Sequence, residues 1–414
     1  MNEYFKELHS QDGKLDSREL TKKVSRILKD MYQKGGGTLI VYPGIYCVGS
    51  IRLYSNITIF LQKGAVLKGS IRRDEFPLLD ENIFYGREKG ARSALLWAAN
   101  AENIKLCGEG MIDGSGENWW SEQDGKRPCI LEFGSCHGIC LEGIRIQNSP
   151  YWTIHFFQTQ TVSMKGLSIY NPPTSPNTDG IDVESSGNVE ISHCTINVGD
   201  DCIALKSGKE SDKMREFLPT ENVRITCCRM ERGHGGIVIG SEVLGGVRNV
   251  YAADLKLYHT DRGIRIKTKR IRGGKIEDIT AERIYMEDVI CPIVINCYYR
   301  GTTRQEDYEV CSDLRWRQPD KHTPVIERLY FKNIKATGIR AAAAYIQGLP
   351  ESPVNNCIFR GLNFEMSEEG EEEEPAMTYE RKKMHKYGFY VRNMIHTVME
   401  NVKVKNAIQE MDIS

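Results

Sequence analysis

Residues 188–196 read Asn188-Val-Glu-Ile-Ser-His-Cys-Thr-Ile196, and residues 222–230 read Asn222-Val-Arg-Ile-Thr-Cys-Cys-Arg-Met230. Both place apolar side chains second, fourth, seventh and ninth. The same nine-residue pattern returns as Asn103-IKLCGEGM, Gly138-ICLEGIRI, Thr161-VSMKGLSI, Asn249-VYAADLKL, Asp278-ITAERIYM, Arg328-LYFKNIKA, Asn356-CIFRGLNF and His396-TVMENVKV. Each half alternates apolar and polar, as a half-buried strand does, and the slip between the halves fits a bend. Most copies start 23 to 35 residues after the one before, which is the behaviour of a solenoid whose turns bury their apolar rows only against their neighbours.

A second row follows within the central turns: Gly180-IDVES, Cys202-IALKS, Gly236-IVIGS, Gly263-IRIKT and Pro292-IVINC. Its inward columns are Ile181, Ile203, Ile237, Ile264, Ile293 and, two residues on, Val183, Leu205, Ile239, Ile266, Ile295. Side chains alternate along a strand, so the residues between must face outward. A helical repeat would show a period of 3.6, and none is present. The expected fold is all-β, a right-handed parallel β-helix forming one domain over 1–414. Residues 1–36 make an N-terminal capping segment, and insertions near 209–220, 298–327 and 367–383 interrupt the turns of 37–414. Residues 17–34 read as an amphipathic capping helix with Asp16 as N-cap and Gly35 as stop, placed to cover the open first turn. The charge-rich 367–383 segment is expected to be an exposed loop without chemistry, and 298–327 a functional wall.

Bulk composition narrows the function classes. The 414 residues carry 55 basic and 56 acidic side chains, a net charge of -1, so no overall electrostatic footprint for nucleic acid exists. No apolar run reaches the roughly 18–20 residues that span a bilayer, and Met1–Ser10 contains no apolar leader. No nucleic-acid or membrane partner is expected, and the expected compartment is the cytoplasm. Thirteen cysteines without CxxC or zinc spacing fit packed free thiols in a reducing compartment. Oligomeric state is not legible.

Stacking the rows brings chemistry together. Just before each Gly/Cys-Ile stand Asp179, Asp201, Gly235, Arg262 and Cys291; one place earlier stand Thr178, Asp200, His234, Asp261 and Ile290. With parallel strands roughly 4.8 Å apart, Asp179 is expected beside Asp201 and Asp200 beside His234, with Arg265 and Lys267 projecting outward from the following turn. A lone Asp at a turn is usually a surface or capping residue. Packed like charges destabilise a fold and split its pKa values, so adjacent Asp200-Asp201 beside Asp179 point to chemistry. Cleaving a glycosidic bond needs one protonated carboxyl and one ionised carboxylate, and nearby cations suit an acidic sugar.

Asn177-Thr-Asp-Gly180, Gly199-Asp-Asp201, Gly233-His-Gly235 and Arg265-Ile-Lys267, in this order, resemble the four signature motifs of the polygalacturonases, glycoside hydrolase family 28. Each is weak alone, but the ordered set on successive turns is specific. The resemblance runs from about Gly35 through Tyr299. It implies hydrolysis of α-1,4-linked galacturonic acid in pectic chains with inversion, without cofactor or metal. Asp200 would be the general acid, and Asp179 with Asp201 would hold and deprotonate water. His234 would tune the acid, Arg265 and Lys267 would bind the galacturonate carboxylate, and Asn177 and Tyr299 would line the cleft. Inverting pairs ordinarily stand roughly 6.5–9.5 Å apart, the spacing expected between Asp200 and the other two acids. Without a leader, imported short oligomers are the expected substrate, cut from the chain end, with 298–327 and 209–220 as walls.

The competing readings are a rhamnogalacturonan hydrolase, a calcium-dependent pectate lyase of the same architecture, and a non-catalytic carbohydrate-binding adhesin. Cys194 and Cys228 share an inward column and read as core thiols. Lys206 either adds a second carboxylate contact or pairs with Glu184. His137, His155 and His193 read as structural, and Trp119-Trp120 as packing beneath a loop or a sugar platform.

Overall fold

The computed structural model describes residues 4–79, 84, 87, 90–122, 126–209 and 217–413. The expected wall at 209–220 therefore falls mostly on residues 210–216, outside the described residues. By internal contacts the chain divides into two compact units, Met1–Asp200 and Asp201–Ser414. Each is a parallel β-helix.

In the first unit every full turn has three strands. The nine-residue repeat supplies two, as in Gly187–Ser192 followed by Thr195–Asn197. The apolar row supplies the third, running through Ile51–Arg52, Leu96–Ala99, Leu131–Gly134, Ile154–Phe157 and Ile181–Glu184. The ladder is in register, with Leu131 opposite Ile154 and Ile154 opposite Ile181.

The second unit stacks Ile203–Lys206, Ile237–Ile239, Arg262–Lys267, Cys291–Asn296, Ala342–Gln347, Tyr387–Arg392 and Gln409–Ile413. Ile203, Ile237, Ile264 and Ile293 are consecutive partners, as are Leu205, Ile239, Ile266 and Ile295. Within this unit both inward columns are thus as the sequence arranges them. Each such buried side chain contributes about 1.5–3 kcal/mol. In the later turns the two halves of the repeat fuse into one long strand, as in Val247–Tyr258 and Lys275–Glu287.

The bend inside the repeat has a backbone cause. The first residue of every copy has positive φ, between 50° at His396 and 73° at Gly138. So does the sixth: Gly108, Gly143, Gly166, His193, Cys227, Asp254, Arg283, Asn333, Gly361 and Asn401. The left-handed region is cheap for Gly and tolerated by Asn and Asp, which explains why those types dominate the two positions. First-position asparagines also bond between turns, with Asn103 Nδ2 donating to Asn56 Oδ1 at 3.1 Å and Asn249 Nδ2 to Asn222 Oδ1 at 2.5 Å.

The capping helix spans Ser17–Gln33 and Asp16 accepts from the Arg18 amide. Leu20, Val24, Leu28 and Met31 form its buried stripe, laid on the strands Gly37–Val41, Gly44–Val48 and Ile51–Arg52. The helix plugs the apolar end, but it does not cover the strand edge. That edge is taken by Phe5–Leu8, paired with Thr38–Val41, a strand the polar leading residues concealed. All thirteen cysteines are free. Burial pushes the Cys291 and Cys297 thiols up to about 12. Among the described residues no helix is long and apolar enough to cross a membrane.

Candidate active site

The first unit brings together Asn177, Asp179 and Asp200. Carboxylate oxygens of Asp179 and Asp200 lie within 4.8 Å of one another. This is closer than the spacing expected of an inverting pair. The reason is the scaffold, since consecutive turns hold their strands only about 4.8 Å apart. Oxygens this close could also ligate a hard divalent cation. Asp179 is buried and Asp200 half-buried. The Asp179 carbonyl accepts from the Thr153 amide at 2.9 Å, tying the loop to the preceding turn. Thr178 Oγ1 meets Ser175 Oγ at 2.5 Å and the Gly199 amide at 3.3 Å.

The second unit brings together Asp201, Arg265, Lys267 and Tyr299. Asp201 is 1% exposed. Lys267 Nζ donates to its Oδ2 at 2.6 Å and Arg265 Nη1 to its Oδ1 at 3.3 Å. Burial disfavours the Asp201 anion, but the charges of Lys267 and Arg265, with a smaller effect from His234, outweigh it and hold the carboxyl far below its ordinary range. Burial likewise acts against the Lys267 ammonium, and Asp201 more than offsets it. Tyr299 closes the cluster, its ring centroid 5.7 Å from the Arg265 guanidinium and 5.3 Å from Lys267 Nζ. His234 is exposed on its turn. Gly235 leaves no room for a side chain unless a neighbour shifts, because a Cβ there would stand 2.4 Å from Val238 Cγ2 and 3.3 Å from Asp201 Oδ1.

Of this unit's insertions, 298–327 and 367–383 reach the cluster. The 298–327 segment is built on cations that follow the Arg265-Ile-Lys267 strand: Lys269 Nζ donates to the Gly301 carbonyl at 3.0 Å and Thr303 Oγ1 at 2.6 Å. Arg270 grips Glu351 and the carbonyls of Val310 and Arg315. A cavity of about 540 Å³ lies under it. The arginines that line it already have acidic partners: Arg270 with Glu351, Arg304 with Asp307, Arg317 with Asp313.

The expectation that 367–383 is an exposed loop fails for its second half, which is packed against the cluster. Arg262 donates to the carbonyls of Pro375 and Glu374, Arg265 Nη2 meets Met377 Sδ at 3.2 Å, and Tyr379 Oη bonds Thr303 and the Tyr299 carbonyl. Ala376 and Met384 pack on Cys291, Val294, Tyr345 and Tyr390, covering the outward face of the strands that follow Lys267. Acidic flanks hid these few apolar residues in the sequence.

In the first unit the outward face before Asp179 is also covered. His155 is buried between Glu132 and Glu184, 3.0 Å from each, and Arg87 reaches Glu132 at 2.7 Å. Burial opposes the imidazolium, yet the two carboxylates raise His155 to about 9. His155 is therefore structural, as expected. Glu184 is engaged by His155, while Lys206 Nζ stands 3.7 Å from Glu242. Trp119 is fully buried against Phe76 and Arg73, and Trp120 Nε1 donates to the Ser149 carbonyl, so the pair is packing.

These features define β-solenoid turns whose acids stand just before the third-strand row and whose cations, Arg265 and Lys267, stand on that row. The family model for glycosyl hydrolases family 28 matches residues 58–383, and the chain belongs to that family. A Vitis vinifera protein named a probable polygalacturonase is 31% identical over 339 residues, 78% of this chain and 66% of its own length. An endo-polygalacturonase of Pectobacterium carotovorum subsp. carotovorum is 28% identical over 69% of this chain and 74% of its own length. The structure of a hyperthermoactive exopolygalacturonase from Thermotoga maritima matches with a TM-score of 0.75 at 26% identity, covering 95% of this chain and 92% of that one. The chain spans 66% of the Vitis relative and 45% of an Arabidopsis thaliana one.

Proposed function

We propose that this chain hydrolyses α-1,4-linked galacturonic acid in pectic homogalacturonan or its oligomers. The observation that carries the reading is the buried Asp201 held ionised by Lys267 and Arg265. A carboxylate kept charged inside the protein can accept a proton from water, and the same two cations suit a uronate carboxylate. Asp200 is the acid that protonates the leaving oxygen, Asp179 and Asp201 hold and deprotonate the water, and His234 tunes the acid. Asn177 and Tyr299 line the sugar site. An arriving galacturonate competes with Asp201 for Lys267 and Arg265. That draws positive charge away from Asp201 and raises its basicity when the water must be activated.

The spacing of Asp179 and Asp200, within 4.8 Å, is nearer that of a retaining pair, so inversion needs the attacking water on the Asp179 side, away from the oxygen that Asp200 protonates. Inversion is the expected outcome, and retention in the first-formed products would make one carboxylate a nucleophile instead. Attack from the chain end on short oligogalacturonides is supported by the covered outward faces, under Ala376 and Met384 in one unit and at His155 in the other.

The test is a time course on polygalacturonate and defined short oligomers, with and without chelator. Reducing ends and monogalacturonate should accumulate while viscosity falls slowly. Mixed oligomers with a rapid viscosity drop would make it an endo enzyme. Chelator-sensitive formation of an ultraviolet-absorbing unsaturated product would make it a lyase. Binding without cleavage would make it an adhesin.

A further inference from the structure

We propose that Arg127 is a positioning residue that fixes Asn177 as a hydrogen-bond donor toward the sugar; this rests on the hydrolytic reading of the site. Arg127 is 0% exposed. Burying a guanidinium costs several kcal/mol unless its donors are satisfied. Here the two terminal nitrogens are engaged and Nε makes no hydrogen bond: Nη1 donates to the carbonyls of Pro150 at 2.8 Å and Pro176 at 2.9 Å, and Nη2 donates to Asn177 Oδ1 at 2.8 Å. One side chain thus ties the 150–153 turn to the loop that delivers Asp179.

The donor set decides which way Asn177 points. A guanidinium has N–H groups only, so the amide atom facing it must be the oxygen. Nδ2 and its two hydrogens then face away from Arg127. Asn177 is half-buried and holds a φ of 53°, a conformation asparagine tolerates. Its backbone and its oxygen are both fixed, which leaves its amide hydrogens for a sugar oxygen. Glutamine at 127 would lose this selection, since it can present either amide end; lysine, also a donor only, would keep the choice of oxygen but cannot reach three acceptors as a planar fork, so it would not hold the amide in place. Arg127 is itself braced: Arg87 Nη2 donates to its carbonyl at 3.2 Å, and the Tyr151 ring lies 5.1 Å from the Arg87 guanidinium and 5.3 Å from that of Arg127.

The experiment is a double-mutant cycle with Arg127→Lys and Asn177→Ala, read as kcat and KM on a short oligogalacturonide. Arg127→Lys alone should lower kcat/KM by about 10- to 100-fold, the scale of a small misplacement. In the Asn177→Ala background it should cost less than about 3-fold, because coupled residues do not add. Equal costs in both backgrounds would overturn the proposal. Asn177→Asp provides a readout that does not need Arg127→Lys to fold. Its carboxylate still suits the guanidinium fork, so it should melt at or above the parent while losing activity as Asn177→Ala does. Melting below Asn177→Ala would refute the contact. A parent protein that cleaves no galacturonan would defeat the hydrolytic reading, and the melting comparison would still decide the contact.

Discussion

Replacing Lys267 by methionine takes one of two cations from a carboxylate that is 1% exposed. The lost contact is the 2.6 Å bond to Asp201 Oδ2, and Arg265 remains 3.3 Å from Oδ1. Removing one partner of a buried ion pair costs about 3–5 kcal/mol. With Arg265 still in place the low end applies, about 3 kcal/mol. At roughly 2–4 °C per kcal/mol for a unit of this size, melting should fall by about 6–12 °C at pH 7. The pH dependence has a definite sign. The folded Asp201 carboxyl is depressed in the parent, so its contribution is present above the unfolded value and lost as pH falls through the folded one. In the variant the carboxyl protonates at higher pH, which relieves the uncompensated charge. The melting gap should therefore be widest near neutrality and narrow toward about pH 4. Scanning calorimetry of both proteins at several pH values measures it, beside reducing-end release from polygalacturonate, which should also fall. A gap that does not change with pH would refute the electrostatic account.

Three further outcomes are expected. Asp179→Asn, Asp200→Asn and Asp201→Asn should each lose at least about 10²-fold in turnover while keeping the parent circular dichroism; full turnover in Asp200→Asn would remove the acid assignment. The parent should lose stability as pH rises from about 6.5, the ordinary histidine value, to about 9, where His155 titrates. His155→Gln should flatten that slope, and an unchanged slope would show that the ion cluster at Glu132 is not its source. Gly235→Ala should cost about 1–3 kcal/mol by overpacking against Val238 and Asp201, measured by denaturant titration alongside activity.

The inward isoleucine and leucine columns were legible because a strand's period is two and every turn repeats it. The left-handed first and sixth positions were legible only as a slip in that period, until the φ values gave it a cause. Register placed Asp201, Arg265 and Lys267 on one outer face but not in contact: Asp201 stands two residues before Ile203, Arg265 and Lys267 one and three after Ile264 two rows on, so only the reach of the long cationic side chains joins them. Arg127 left no such trace: it stands outside both repeat rows, and only its buried hydrogen bonds reveal it. The Met377 contact with Arg265 was hidden for a related reason. A segment so rich in glutamate reads as solvated, and the few apolar residues that dock it, Ala376 and Met384, are too sparse to form a pattern. Phe5–Leu8 was missed because an edge strand carries little alternation of its own.

The two left-handed pivots in each repeat also separate scaffold from ornament. From first pivot to sixth the distance in residues is constant in all ten copies, whether the next copy begins 23 residues later or 50. A loop inserted outside that interval leaves the ladder register untouched, so new substrate-facing segments can be tried without refolding the frame. A single residue added inside the interval would shift one pivot and turn an apolar row outward. Tolerance to insertion along this chain should therefore be periodic, high at the two ends of the third strand of a turn, where 298–327 and 367–383 enter, and nearly absent between the pivots.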